Sequence, residues 1–529
     1  MQNFATLINQ LDATTSTHQK VAHLNHYFNV EQNEKDKLWT IALFTNKKPS
    51  RGVSSALLRQ WCAEVTGIPL WLLEENYHIV GDLAETIALL LPYNNTSIIK
   101  PLHQWISEIA ALKGMDELDK KQYVLNTWSG LSKEETWIFN KIITGGFRLG
   151  IAKNLIIQAL SLHLDIDKQE VAHHLMGDWH PEKVSWQTLF SGEKGVIADS
   201  KPYPFYLAYP VADDELSKLH SNEYLNQWSA EWKWDGIRGQ LIKRGGQIFV
   251  WSRGEELMTD RFPELRETLA SETDFVMDGE ILGWKDGLPL NFQLLQQRIG
   301  RKNVTKKLMA DIPIKFIAYD LLEYQREDLR TQSFERRRAQ LEYLIDESQF
   351  QNILISERLD FGSYDALATL RSNAREVNAE GLMLKLKKGI YHTGRKTGEM
   401  WKWKLDPYTI DAVMLYAQRG HGRRANLYSD FTFALWAGDD LVPFTKAYSG
   451  LTDVEMKEVT AFVKKNTIAT FGPVASVTPE LVFEIAFEGI AISTRHKAGI
   501  ALRFPRILRW RKDKTAKNAN TLAEIKKLL

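Results

Sequence analysis

A chain of 529 residues is too long for a single hydrophobic core and implies about three domains. With 44% hydrophobic and 25% charged residues it excludes wholesale disorder, and a net charge of +1 gives no bulk electrostatic sign of a nucleic-acid partner. Cys62 is the sole cysteine, which excludes an internal disulfide and any cysteine-rich zinc module.

The opening "MQNFATLINQLDATTSTHQK" is amphipathic and short of a membrane span, so no membrane partner and a cytoplasmic location are expected. Residues 1 to about 200 read as helical. "NFATLINQL" and "KVAHLNHYF" carry apolar residues at three- and four-residue steps. "LSKEETWIFNKIITGGFRLG" starts with a capping-box pattern, Ser132 then Glu135, and runs out at Gly145-Gly146; "NLIIQALSLHL" continues the helical texture.

From about Pro202 the texture changes. Pro202, Pro204 and Pro210 punctuate a connector, followed by strand-like segments "AEWKWDGIRGQLI", "QIFVWSR", "DFVMDGEIL", "IKFIAYDLL", "GLMLKLK" and "MWKWKL", with "SFERRRAQLEYLI" as a helix among them. After "KLDPYTIDAVMLYA" come short strands, the turn "QRGHGRR", the helix "DVEMKEVTAFVKKN" and a basic end. From Arg503 to Leu529 nine Lys and Arg stand against Asp513 and Glu524. Phe504, Ile507, Leu508 and Trp510 interleave with these charges, so "RFPRILRWRKDK" reads as a folded edge presenting arginines rather than a solvated tail. The expected domains are helical over 1–203, mixed α/β over 204–405, and small and β-rich over 406–529, the last compatible with an OB-fold.

In "AEWKWDGIRGQL" strand alternation puts Glu231, Lys233 and Asp235 on one face and Trp232 and Trp234 on the other. A surface strand with Lys233 merely solvated explains the same pattern. Other ionisable residues share such surroundings: Arg238, Arg253, Glu280, Glu380, Lys385, Lys402 and Lys404. Taken singly each reads as a surface charge; together they have a chemical use. A lysine becomes a nucleophile when neighbouring cations or desolvation disfavour its charged form, and a shift to near neutrality costs that form about 4 kcal/mol. Arg238, Lys402 and Lys404 would exert this effect if they faced one cleft with Lys233. Glu280 and Glu380 would hold a divalent cation beside a phosphate.

"KWDGIR" resembles the Lys-x-Asp-Gly motif of the covalent nucleotidyltransferases, the superfamily of DNA ligases, RNA ligases and capping enzymes. "SRGEE", "DGEIL", "FIAYDLL", "EGLMLK", "WKWK" and "RFPRILRWRKDK" resemble its later motifs, in order, across most of the chain's second half. "TTSTHQKVAHLNHYF" and "GGFRLGIAKNLIIQAL" resemble the helical DNA-binding domain of multidomain ATP-dependent DNA ligases of bacterial type.

The resemblance implies a multidomain α+β chain. Its parts are an all-α N-terminal domain, an ATP-grasp-like adenylation (nucleotidyltransferase) domain and a C-terminal OB-fold β-barrel. It implies ATP and Mg2+ as cofactors, with Mn2+ as an alternative, and nicked double-stranded DNA as partner of a monomeric enzyme of repair or recombination. Lys233 is then the residue that takes AMP. Glu231 meets the adenine edge, Arg238 and Glu280 the ribose, and Arg253 the nucleotide or nick phosphate. Tyr319 stacks on adenine, Lys402 and Lys404 serve the phosphates, and Glu280 and Glu380 serve the metal. Arg509, Arg511 and Lys514 act in the first step with its pyrophosphate. Lys20 contacts DNA phosphates, and Phe292 and Phe504 resemble aromatics that wedge beside the nick, with core packing as the competing reading. The family often carries an arginine six residues before Lys402; here that position is Lys396, with Arg395 beside it.

An RNA-directed member is the nearest rival, and "RFPR" with the helical N-terminal third argues against it. An NAD+-dependent ligase would resemble proteins with a four-cysteine zinc module, which one cysteine cannot build. A non-catalytic binding protein is disfavoured by the intact set of Lys233, Glu280, Glu380 and Lys402.

Overall fold

The computed structural model describes the chain except residues 46, 50, 93–97, 146–150, 178, 191–198, 302–303, 421–425 and 449. Most of "GGFRLG" and the last four residues of "QRGHGRR", both read above as functional or turn segments, lie outside the described residues. Two compact units form, one from Met1–Ser16, Asn46–Gly150 and Asp406–Leu529, the other from Thr17–Thr45 and Ile151–Leu405.

The N-terminal region is helical, as its periodicity implies. The helix Lys133–Thr144 begins with the Ser132/Glu135 capping box and ends at Gly145 in the left-handed conformation. Within the second unit, Thr17–Val30 and Lys153–Leu164 pack together, burying Leu24, Phe28, Ile156 and Leu160. No helix among the described residues is long and apolar enough to cross a membrane.

Two sheets build the strand-rich part of the second unit. One runs in the order Ile353–Ile355, Ile314–Tyr324, Phe275–Lys285, Ile237–Arg244, Gln247–Ser252. The other runs Arg358–Leu359, Trp228–Trp234, Ala379–Leu386, Met400–Lys404, Tyr209–Pro210. Facing apolar residues join them: Ile242, Trp251, Val276 and Leu322 from the first sheet meet Met400 and Met383 from the second. On the outer side of the second sheet Trp228, Ala230, Leu382, Leu384, Trp401 and Trp403 form a further core, with Trp232 packed against it. Each such large side chain contributes about 1.5–3 kcal/mol through burial. This apolar anchor leaves the opposite face of Trp228–Trp234 to Glu231 and Lys233.

The chain passes from one sheet to the other at Asp235-Gly236, between Trp228–Trp234 and Ile237–Arg244. A Cβ on Gly236 would stand 2.4 Å from the Ile281 carbonyl oxygen, so only glycine lets the backbone cross there.

In the C-terminal part Tyr408–Arg419 pairs antiparallel with Tyr428–Ala437, Val474–Val477 and Val482–Phe487, bending the sheet around Phe431, Phe433, Phe483 and Phe487. The helix Asp453–Lys465, capped by Thr452 and Glu455, places Val459 and Val463 in that core. The result is an OB-like half-barrel. Its basic end is folded: Arg506–Trp510 pairs with Val482–Phe487, so the arginines stand on a strand.

Candidate active site

Glu231 and Lys233 stand on Trp228–Trp234, the strand flanked in register by Ala379–Leu386. A bulge between Ala379 and Leu382 breaks that register at Glu380-Gly381. Gly381 adopts φ +139, and a Cβ there would lie 2.3 Å from the Trp403 carbonyl oxygen. The bulge turns Glu380 toward Lys233, whose Nζ donates to Glu380 Oε2 at 2.5 Å. Lys404 Nζ lies 3.2 Å from the same oxygen. Burial works to raise the Glu380 carboxyl, but Lys233 and Lys404 outweigh it and hold the group well below the usual carboxylate range.

Lys402 stands on the same strand as Lys404. Burial pushes its ammonium down, and Arg395, Lys233, Lys404 and Arg253 add to the effect. Lys233, Lys402, Lys404, Arg253 and Arg395 therefore form one cationic field, suited to a polyphosphate. Arg395 pairs in the short strand Gly394–Arg395 with Leu207 and lies 5.8 Å from the Tyr209 ring centroid, whereas Lys396 contributes its backbone carbonyl to the Tyr206 hydroxyl at 3.5 Å.

On the facing sheet Arg238 sits across from Glu280 in register. The sequence offered Arg238, with Lys402 and Lys404, as a cation that would act on Lys233 if they faced one cleft. Instead Asp278 neutralises it: Arg238 Nε and Nη2 donate to Asp278 Oδ1 and Oδ2 at 3.2 and 2.7 Å, and Nη1 donates to the Tyr206 carbonyl at 2.7 Å. Tyr391 Oη donates to Asp278 Oδ2 at 2.6 Å, and Tyr319 Oη to Oδ1 at 3.3 Å. Burial pushes the Glu280 carboxyl up to about 8, against Lys233 and Arg238, with Asp278 and Glu380 adding to the rise.

Glu231 is 2% exposed, and its Oε1 accepts from Lys385 Nζ at 2.9 Å. Tyr319 lies beneath the same ammonium, with 4.6 Å from Nζ to its ring centroid. Lys233, Glu231, Arg238, Glu280, Tyr319, Glu380, Lys402, Lys404 and Arg253 thus belong to one neighbourhood of the two sheets.

Other sequence-derived candidates lie elsewhere. Lys20 is buried in the first turn of Thr17–Val30. Phe292 begins the helix Phe292–Ile299 and packs partly against the core of the first sheet. Phe504 is 65% exposed at φ +51, with the Arg503 guanidinium 5.2 Å from its ring. Arg511 Nη1 and Lys514 Nζ both engage the buried Asp411, at 3.0 and 2.5 Å, while Arg509 pairs with Glu484 and leaves 62% of its side chain exposed.

Sequence reasoning missed Asp278 and Tyr391. Asp278 had a signal, since it shares a strand face with Glu280 two residues on; Tyr391 sits in a connector without periodicity. Asp278→Ala leaves a largely buried guanidinium without its bidentate partner, and the expected cost is about 3–5 kcal/mol. The check is an earlier urea transition of the full chain.

Comparison with known proteins agrees along the length of the chain. Residues 1–161 match the family model "DNA ligase N terminus", 207–404 "ATP dependent DNA ligase domain", and 424–514 "ATP dependent DNA ligase C terminal region". A "Probable DNA ligase" of Koribacter versatilis is 29% identical, covering 99% of this chain and 95% of its own. A "DNA ligase" of Thermococcus fumicolans is 28% identical, covering 90% and 88%. The solved structure Pmar-Lig_PreS3 shares the fold at a TM-score of 0.63, with 16% identity over 96% of this chain and 99% of that one. With matched models at both ends and across the two sheets that carry Lys233, the chain belongs to the ATP-dependent DNA ligases, enzymes that form phosphodiester bonds.

Proposed function

We propose that this ligase seals nicks in duplex DNA, as a monomer in the cytoplasm, through an AMP adduct on Lys233. The observation that carries the reading is Lys233 Nζ, set between Glu380 and the cations of Met400–Lys404. Three domains, 1–203, 204–405 and 406–529, divide the work; the matched family segments 1–161, 207–404 and 424–514 fall one within each.

The Lys233 amine attacks the α-phosphorus of ATP, the bond to the β-phosphate oxygen breaks, and pyrophosphate leaves. Before it attacks, Nζ must lose the proton it donates to Glu380 Oε2. AMP then passes to the 5′-phosphate of the nick, restoring the lysine, and the 3′-hydroxyl displaces AMP to form the phosphodiester. All three steps depend on positioning and charge neutralisation. Lys402, Lys404, Arg253 and Arg395 supply positive charge along the phosphates, with Arg395 rather than Lys396 in the arginine role. Arg238, held by Asp278, and Glu280 meet the ribose; Glu231 meets the adenine edge; Tyr319 stacks on the base.

Glu280 and Glu380 offer hard carboxylate oxygens that suit Mg2+, or Mn2+ in its place. No group of three His, Cys, Asp or Glu gathers among the described residues, so phosphate oxygens and water would complete the shell. The ion when bound would neutralise phosphate charge. Binding it would release the proton that burial favours on Glu280. Phe504 is the DNA contact this reading favours, because it is exposed; the burial of Lys20 and the core packing of Phe292 count against that role for them.

The test is ATP-dependent joining of a nicked all-DNA duplex, set against the same nick with an RNA strand. Sealing of the RNA nick alone would favour the RNA-directed rival. A second check concerns the basic end. Arg509 is the cleanest probe, because removing an exposed partner of Glu484 costs little stability, whereas Arg511 and Lys514 also balance Asp411. Arg509→Ala is expected to slow labelling by α-labelled ATP by about tenfold, the loss of one charge-assisted hydrogen bond. Sealing of a nick already bearing 5′-AMP should fall far less, and equal losses would refute a role confined to the first step.

A further inference from the structure

We propose that Lys385 is a positioning residue that sets base discrimination: it fixes Glu231 as an acceptor for the 6-amino group of adenine and braces Tyr319. The proposal rests on the reading that Glu231 meets the base. Lys385 is itself 6% exposed and sits behind the pocket. Its Nζ donates to Glu231 Oε1 at 2.9 Å and to the Tyr319 carbonyl at 3.1 Å. The same nitrogen lies 4.6 Å from the Tyr319 ring centroid and 4.9 Å from that of Phe334. One buried cation thus ties the residue that reads the base edge to the residue that stacks on the base.

The geometry at Glu231 is one-sided. Arg338 Nη1 lies 3.7 Å from the same Oε1, and its other nitrogens are taken by Glu342 and the Ser356 carbonyl. Both cations therefore address Oε1, while Oε2 accepts no hydrogen bond among the described residues. An ionised carboxylate can only accept. Oε2 thus suits the amino hydrogens of adenine and repels the 6-oxo group of guanine.

Without Lys385 the buried Glu231 loses its nearest positive partner, and burial then favours the protonated carboxyl. A protonated carboxyl donates, and a 6-oxo purine accepts. The other charged or titratable groups around Glu231 are largely committed. Arg338 stands at 3.7 Å, Arg358 lies opposite in strand register and pairs with Glu335 and Glu342, Asp320 is held by Arg337, and the Tyr319 hydroxyl donates to Asp278.

The test compares label transfer from α-labelled ATP and α-labelled GTP to the full-length chain across a pH series. Lys385→Met is expected to raise KM for ATP more than it lowers kcat, and to cut the ATP-over-GTP preference by about tenfold, the value of one hydrogen bond to a charged group. That preference should recover as pH rises, because the ionised carboxylate returns. Lys385→Gln, similar in length and uncharged, is measured alongside and should behave in the same way. Lys385→Arg keeps the charge and should keep the preference. Equal losses with ATP and GTP at every pH would show a merely structural lysine and overturn the proposal. Glu231→Gln separates the two readings. If it leaves the preference intact, Glu231 does not read the base. If it abolishes the preference while both uncharged Lys385 variants keep it, the base contact stands and the role of Lys385 is refuted.

Discussion

Lys233→Ala is expected to abolish transfer of label from α-labelled ATP to the protein, a loss of at least about 10⁴-fold, or some 5 kcal/mol of barrier. ATP-dependent sealing should vanish with it. The fold should survive, because Lys233 keeps 21% of its side chain exposed and Glu380 retains Lys404 at 3.2 Å as a counter-charge. Lys233→Arg should fail equally, since a guanidinium stays protonated and offers no lone pair. A nick that already carries 5′-AMP does not need the lysine as nucleophile, so joining of that substrate should fall far less. Normal labelling of Lys233→Ala would remove the basis of the account.

Glu380→Ala is expected to be nearly as severe, about 10³-fold in label transfer, or roughly 4 kcal/mol. Glu380 is the acceptor for Lys233 Nζ, a partner of Lys404 and one of two candidate metal carboxylates. Its removal leaves two ammonium groups without their shared anion. Unlike Lys233→Ala, it should also depress joining of the pre-adenylylated nick, because phosphate and metal handling is common to all steps. Rapid-quench measurement of both reactions decides this; a loss confined to the first would limit Glu380 to positioning Lys233.

Much of the architecture was legible because local rules decide it. Period-two alternation set Trp232 and Trp234 opposite Lys233, and the structure packs Trp232 of that face against a core with Trp228 and Ala230; the Ser132 to Glu135 spacing identified a helix start that the structure caps in that way. The interleaved arginines near Trp510 proved to be a strand. Partner choice was not legible, because alternation names a face without naming what stands opposite. Arg238 finds Asp278 rather than acting as a bare cation, and Lys385 finds Glu231 from 154 residues away. Each pair is made diagonally between neighbouring strands of one sheet, Ile237–Arg244 with Phe275–Lys285 and Ala379–Leu386 with Trp228–Trp234, so it depends on strand pairing and register between distant segments, which no local pattern encodes. Glu380 likewise reaches Lys233 through a bulge that the string "EGLMLK" hints at only by its glycine.

The most direct measurement is to incubate the full-length chain with α-labelled ATP and a divalent cation, map the labelled peptide, then add a nicked duplex. The account predicts one AMP on Lys233, pyrophosphate release in equal amount, and loss of the label from protein as the nick is joined. Label on any other residue, or label on Lys233 that a nicked duplex fails to discharge, would contradict it.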